Sequence, residues 1–109
     1  MENTITEYDK TFEELNLTSE ITKVGSKIYR NKDGLIHRQH GPAIIHFDGK
    51  QFWSKNGALH REDGPAVIYP NGHQEWWVDG RLHREDGPAI VNPGGTTEWW
   101  INGEQISGG

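Results

Sequence analysis

An internal repeat governs this chain: Gly41-Pro42-Ala43 returns as Gly64-Pro65-Ala66 and again as Gly87-Pro88-Ala89, a period of 23. Gly41–Asp63 aligns without gaps on Gly64–Asp86 with 13 identities in 23, and Gly87–Gly109 keeps nine identities with the second unit while losing its His-Arg-Glu-Asp ending. A partial unit comes first, because Asp33-Gly34 and His37-Arg38 fall one full period before Asn56-Gly57 and His60-Arg61. A fixed period of this length implies stacked units, each touching its neighbours. The chain divides into a cap or arm over 1–26 and a repeat domain over 27–109, with a partial unit 27–40 and units 41–63, 64–86 and 87–109.

Two glycine-centred turns punctuate each unit. Asp48-Gly49, Asn71-Gly72 and Gly94-Gly95 mark the first, and Asn56-Gly57, Asp79-Gly80 and Asn102-Gly103 the second. These pairs tolerate the positive φ that two-residue hairpin turns require, so both turns are expected to be of that kind. Between them the sequence predicts strands of four to six residues. Ala43, Ile45, Ala66, Ile68, Ala89 and Val91 alternate on one side of the first strand, with Trp53, Trp76 and Trp99 at the equivalent place in the second, as an internal ladder. Pro42, Pro65 and Pro88 lack an N–H and suit a strand start or a tight corner. The fold expected is all-β, a single-domain solenoid of antiparallel hairpins.

Outside the repeat, Phe12, Glu13, Glu14, Leu15 and Leu17 suggest a short helix or extended arm that caps the first rung. At the other end, Gln105-Ile106-Ser107 replaces Leu82-His83-Arg84, which leaves the edge Glu98–Ile101 open for a second subunit or a partner.

Composition narrows function by exclusion. The 109 residues suffice for one core, and zero cysteine removes disulfides, zinc ribbons, iron–sulfur sites and thiol nucleophiles. No apolar run is long enough to span a bilayer, and the start MENTITEYDK lacks the basic-then-apolar pattern of a signal peptide, so a cytoplasmic protein is expected. With 11 Lys and Arg against 16 Asp and Glu, the net charge of −5 argues against a broad nucleic-acid-binding face.

The pattern Y-x-N-G…W-W-x-x-G-x-x-H-x-x-x-G, at Tyr69, Asn71, Gly72, Trp76, Trp77, Gly80, His83 and Gly87, resembles the MORN repeat. It is most similar to MORN-like proteins of bacteriophages, giant viruses and some bacteria that carry W-x-x-G-x-L-H-R-x-D-G-P-A, and the likeness spans residues 28–109. The resemblance implies an elongated array of antiparallel hairpins that serves protein association. Typical MORN units have Tyr-x-Gly and Gly-x-Gly where this chain has Trp and Gly-Pro-Ala, so the lipid contact reported for some families is not carried over. In a phage, a small acidic accessory protein acting on a host factor is the reading implied.

Among candidate chemical groups, His37, His60 and His83 invite a metal. Equivalent residues of successive hairpins stand about 9 to 10 Å apart, whereas zinc holds nitrogen at about 2.0 to 2.1 Å. They are read as structural, each ring beside a Trp, with no metal or other cofactor expected. Arg38, Arg61 and Arg84 with Asp63 and Asp86 read as a charge-assisted lattice before Gly-Pro, or else as parallel forks for a carboxylate or phosphate. Gly57, Gly80 and Gly103 belong to the same structural set. Glu75 and Glu98 recur in register and read as solvated strand positions.

Trp77 and Trp100 follow the internal Trp of their units and point to the opposite side, either packed or forming an aromatic patch. No serine or threonine has an activating His-Asp pair, and no glycine-rich stretch opens a helix, so no enzyme is expected. The leading expectation is a binding protein that uses Trp77, Trp100, Arg61, Arg84 and Tyr69 against a protein partner, a host factor if phage-encoded, with self-association through the C-terminal edge. The alternatives are a nucleotide or small-ligand sponge, with Trp stacking and Arg–phosphate contacts, and an assembly component.

Overall fold

The structure, a computed structural model, describes residues 16–108. It contains β1 (Thr18–Ile21), β2 (Lys27–Arg30), β3 (Ile44–Ile45), β4 (Gln51–Phe52), β5 (Ser54–Lys55), β6 (Ala58–Leu59), β7 (Val67–Ile68), β8 (Gln74–Glu75), β9 (Trp77–Val78), β10 (Arg81–Leu82), β11 (Ile90–Val91), β12 (Thr97–Ile101) and β13 (Glu104–Gly108). Among the described residues there is no helix, and the all-β expectation holds. Nine strands form one open antiparallel sheet in the order β1-β2-β3-β4-β7-β8-β11-β12-β13, while β5-β6 and β9-β10 pair as two short ribbons.

The sheet is built from columns of equivalent residues. Across it Ile28 faces Ile44, Ile44 faces Phe52, Phe52 faces Val67, Val67 faces Glu75, and Ile90 stands between Glu75 and Glu98. One step along, backbone bonds of 2.7 to 2.8 Å tie Tyr29 to Ala43, Trp53 to Ala66 and Trp76 to Ala89. Rings therefore alternate with alanines, and Ala43, Ala66 and Ala89 are wholly buried at 0% exposure. No large side chain is fully buried among the described residues. The core is thin, and apolar burial is spread over many half-covered rings.

The second turns are the two-residue hairpins that Asn-Gly and Asp-Gly predict. Asn56, Asp79 and Asn102 have φ of 50, 51 and 50°, each followed by a left-handed glycine. The first turns correct the expectation. Gly49 N–H donates to His46 and His46 N–H to Lys50, which makes a three-residue loop in which the glycine alone, at φ 97°, is left-handed. Tyr69–His73 and Asn92–Thr96 close in the same way. This is a type I turn with a bulge, and its opening position takes Pro70 and Pro93 at their natural φ.

Each corner is bonded to the next unit's second hairpin. Arg38 N–H donates to Ser54, Arg61 to Trp77 and Arg84 to Trp100, at 3.0 to 3.1 Å, while Gly57, Gly80 and Gly103 donate back to Ile36, Leu59 and Leu82. Each of these contacts therefore recurs at the equivalent place in the following unit.

The two ends differ from the middle. Residues 18–21, within the segment read as a cap, form β1, which covers the edge of β2. Phe12, Glu13, Glu14 and Leu15 lie outside the described residues. At the C-terminus the edge Glu98–Ile101 is not open, contrary to the sequence reading. β13 pairs along all of it, Glu98 with Gly108 and Ile101 with Glu104, through a register shift between Trp99 and Trp100. Gln105-Ile106-Ser107 stands where the preceding unit has Leu82-His83-Arg84, and β13 is the outer strand of the sheet among the described residues.

Candidate functional site

The His-Arg corner is a packed structural unit. The guanidinium carbon of Arg61 lies 3.9 Å from the Trp53 ring centroid, that of Arg84 3.9 Å from Trp76, and that of Arg38 4.0 Å from Tyr29. Arg61 also donates to Asp63 Oδ1 at 3.0 Å and to the Pro65 carbonyl at 3.1 Å, and Arg84 repeats this with Asp86 and Pro88. Close to each guanidinium lies a glycine. A Cβ on Gly64 would stand 2.8 Å from Arg61 Cζ, and one on Gly87 2.7 Å from Arg84 Cζ. The run Arg-x-Asp-Gly-Pro thus reads as a guanidinium stacked on a ring and close to a glycine, with its N–H groups drawn to carboxylate and carbonyl. The hydrogen bond from Arg61 holds the Asp63 carboxyl below the usual carboxylate range.

The histidines join units. His37 Nδ1 accepts the Asn56 N–H at 2.9 Å, His60 Nδ1 that of Asp79 at 2.9 Å, and His83 Nδ1 that of Asn102 at 3.0 Å. An accepting Nδ1 puts the proton on Nε2, which in His60 and His83 donates to Glu62 and Glu85 at 3.1 and 3.2 Å. The acceptors satisfy N–H groups of the two-residue turns, which point away from their own hairpins. No group of three or more His, Asp or Glu is placed to hold a metal among the described residues.

Trp77 and Trp100 form a second, distinct arrangement. The Trp77 indole N–H donates to Glu75 Oε1 at 2.7 Å, and that of Trp100 to Glu98 Oε1 at 2.9 Å. Glu75, with a side chain 22% exposed, also meets His73 Nε2 at 2.7 Å, and His73 Nδ1 meets Asn92. The carboxylates read as solvated strand positions are therefore hydrogen-bond anchors for the two indoles. A signal was present: Glu-x-Trp occurs at 75–77 and 98–100, whereas Phe52 and Ser54 occupy both places of the pair in the preceding unit. Tyr69 joins the same side, its ring 5.1 Å from His73 and 6.4 Å from Phe52, with Lys50 Nζ 4.9 Å from its centroid.

The five residues read as one surface are thus divided. Arg61 and Arg84 line two grooves of about 470 and 590 Å³, one unit apart, of which the second also takes in Trp76 and Val78. Trp77, between those two, lines neither groove, and it belongs with Tyr69, His73 and Glu75. The first groove carries Lys55 where the second has Val78. Among the described residues no helix is long and apolar enough to cross a membrane. No protein-family model matches the chain, and neither a curated protein nor a solved structure does so.

Proposed function

We propose that this chain is a non-enzymatic, protein-binding module, a MORN-like solenoid of hairpins with a period of 23, which presents Trp77 and Trp100 to a protein partner. The observation that carries the reading is the pair of half-buried indoles, one unit apart, each held by a glutamate two positions earlier. Such anchoring fixes a large amphipathic ring at low entropic cost, as binding hot spots require. Repetition supports a non-catalytic role, since the His and Arg side chains recur in bonds to backbone, carboxylate and ring rather than converging once. The resemblance to phage MORN-like proteins supports an inhibitor or adaptor that meets a host factor in the cytoplasm.

Capture from the native host's lysate tests this reading, with wild type beside Trp77→Ala/Trp100→Ala, both checked for equal melting temperature. A partner held by wild type and lost by the variant is the expected result. Should the double alanine fail to fold, Trp77→Phe/Trp100→Phe keeps the ring and removes the N–H. Undiminished capture by a folded double alanine overturns the assignment. A nucleotide sponge needs free arginine forks, whereas Arg61 and Arg84 already donate to Asp63 and Asp86. Nucleotides are accordingly expected to leave the melting temperature unchanged, and a saturable rise would replace the proposal.

A further inference from the structure

Among the described residues, three aromatic rings of one repeated column carry an arginine, and the next ring of that column does not. Tyr29, Trp53 and Trp76 stand under Arg38, Arg61 and Arg84 at 3.9 to 4.0 Å. Trp99 continues the column, following Ala89 as Trp76 follows Ala66, but Ser107 occupies the position that would hold its arginine. Among the described residues no Lys or Arg lies over Trp99, and it is 36% exposed. The end strand explains this. After β10 the chain turns into the corner that lays Arg84 on Trp76, whereas β13 runs straight on, with Ser107 opposite Trp99 and Gly108 opposite Glu98.

We infer that Trp99 is a docking ring for an arginine side chain of a protein partner, an inference that rests on the protein-binding reading above and assigns that partner one contact. The chain's own packing selects the chemistry. Its arginines stack at 3.9 to 4.0 Å, while Lys50 and Lys27 sit 4.9 and 5.1 Å from the Tyr69 and Tyr29 centroids. A planar guanidinium lies flat on a ring, and a lysine ammonium does not. Glu104 on the exposed outer strand and the net charge of −5 favour a cationic segment on approach. β13 ends the sheet order, so its outer edge is available to pair with that segment's backbone.

The probe is the C-terminally amidated octapeptide of residues 83–90 carrying Glu85→Gln and Asp86→Asn, which makes it cationic, supplied in trans and titrated into the isotope-labelled protein while the five tryptophan indole N–H signals are followed. The Trp99 signal is expected to shift saturably, with those of Trp53 and Trp76 unmoved. The Arg84→Ala peptide is expected to bind about two- to five-fold more weakly. No saturable shift at Trp99, or an equal response to the alanine peptide, overturns the inference. Partner capture supplies the second arm, with Trp99→Ala expected to weaken it. Capture unchanged in Trp99→Ala yet lost in Trp77→Ala/Trp100→Ala overturns the docking ring and leaves the protein-binding reading standing.

Discussion

The guanidinium of Arg84 lies 3.9 Å from the Trp76 ring centroid and so close to Gly87 that a Cβ there would stand 2.7 Å from Cζ. A side chain at this position is therefore accommodated only if the guanidinium moves from its place on the ring. Gly87→Ala is expected to cost about 1 to 2 kcal/mol by forcing the stack apart, measured by urea denaturation. Gly94→Ala, with no atom within 4 Å of the new Cβ, should stay within about 0.5 kcal/mol. In an Arg84→Ala background the Gly87→Ala penalty should fall, since the three atoms nearest the new Cβ all belong to that side chain.

The histidine bonds predict a local signature. His60→Ala removes the acceptor of the Asp79 N–H and should cost about 1 kcal/mol. Hydrogen exchange at the Asp79 amide should accelerate, while the Asn102 amide, held by His83, stays protected. Equal acceleration at both would mean that the rungs do not act separately.

The left-handed turn residues set a steric test. Asn102 at φ 50° tolerates glycine, but Asn102→Val should lose about 1 to 2 kcal/mol. Melting temperatures of the two variants separate backbone strain from loss of the side chain.

Acid should weaken the corner through Asp63. Its carboxyl is held below the usual range, chiefly by the Arg61 hydrogen bond, so its folded value lies under the unfolded one of about 3.9. The stabilisation is then complete above that unfolded value and is lost as pH falls through the folded one. Asp63→Asn should lower the melting temperature near neutral pH and flatten its decline below pH of about 4. Asp48, held down by the Lys50 backbone N–H, contributes in the same direction.

Much of this was legible from the residues. Among the described residues Asn-Gly and Asp-Gly located the two-residue turns at Asn56, Asp79 and Asn102, and the recurrence of His-Arg-x-Asp before Gly-Pro marked the repeated corner. The rest turned on features that local spacing does not encode. Asp48-Gly49 suits both a two-residue turn and a three-residue turn with a bulge, because each places a left-handed glycine second and Asp accepts either sign of φ before it. Glu75 looked like a solvated strand position because its partner, the Trp77 indole, lies two positions along the same side. The pairing of β13 along β12 was not legible, because Gln105-Ile106-Ser107 departs from the Leu82-His83-Arg84 pattern and no other unit shows what that sequence does.

The partition of the tryptophans is the claim most directly open to test: Trp53 and Trp76 lie under arginines at the corners, whereas the proposed function assigns Trp77 and Trp100 to a partner. The measurement is the set of indole N–H signals recorded as a captured partner is titrated in, each assigned by single substitution. The account predicts that Trp77 and Trp100 shift or broaden while Trp53 and Trp76, under their arginines, remain in place. Movement of Trp53 and Trp76 with Trp77 and Trp100 unaffected would contradict it and place the partner in the corner grooves.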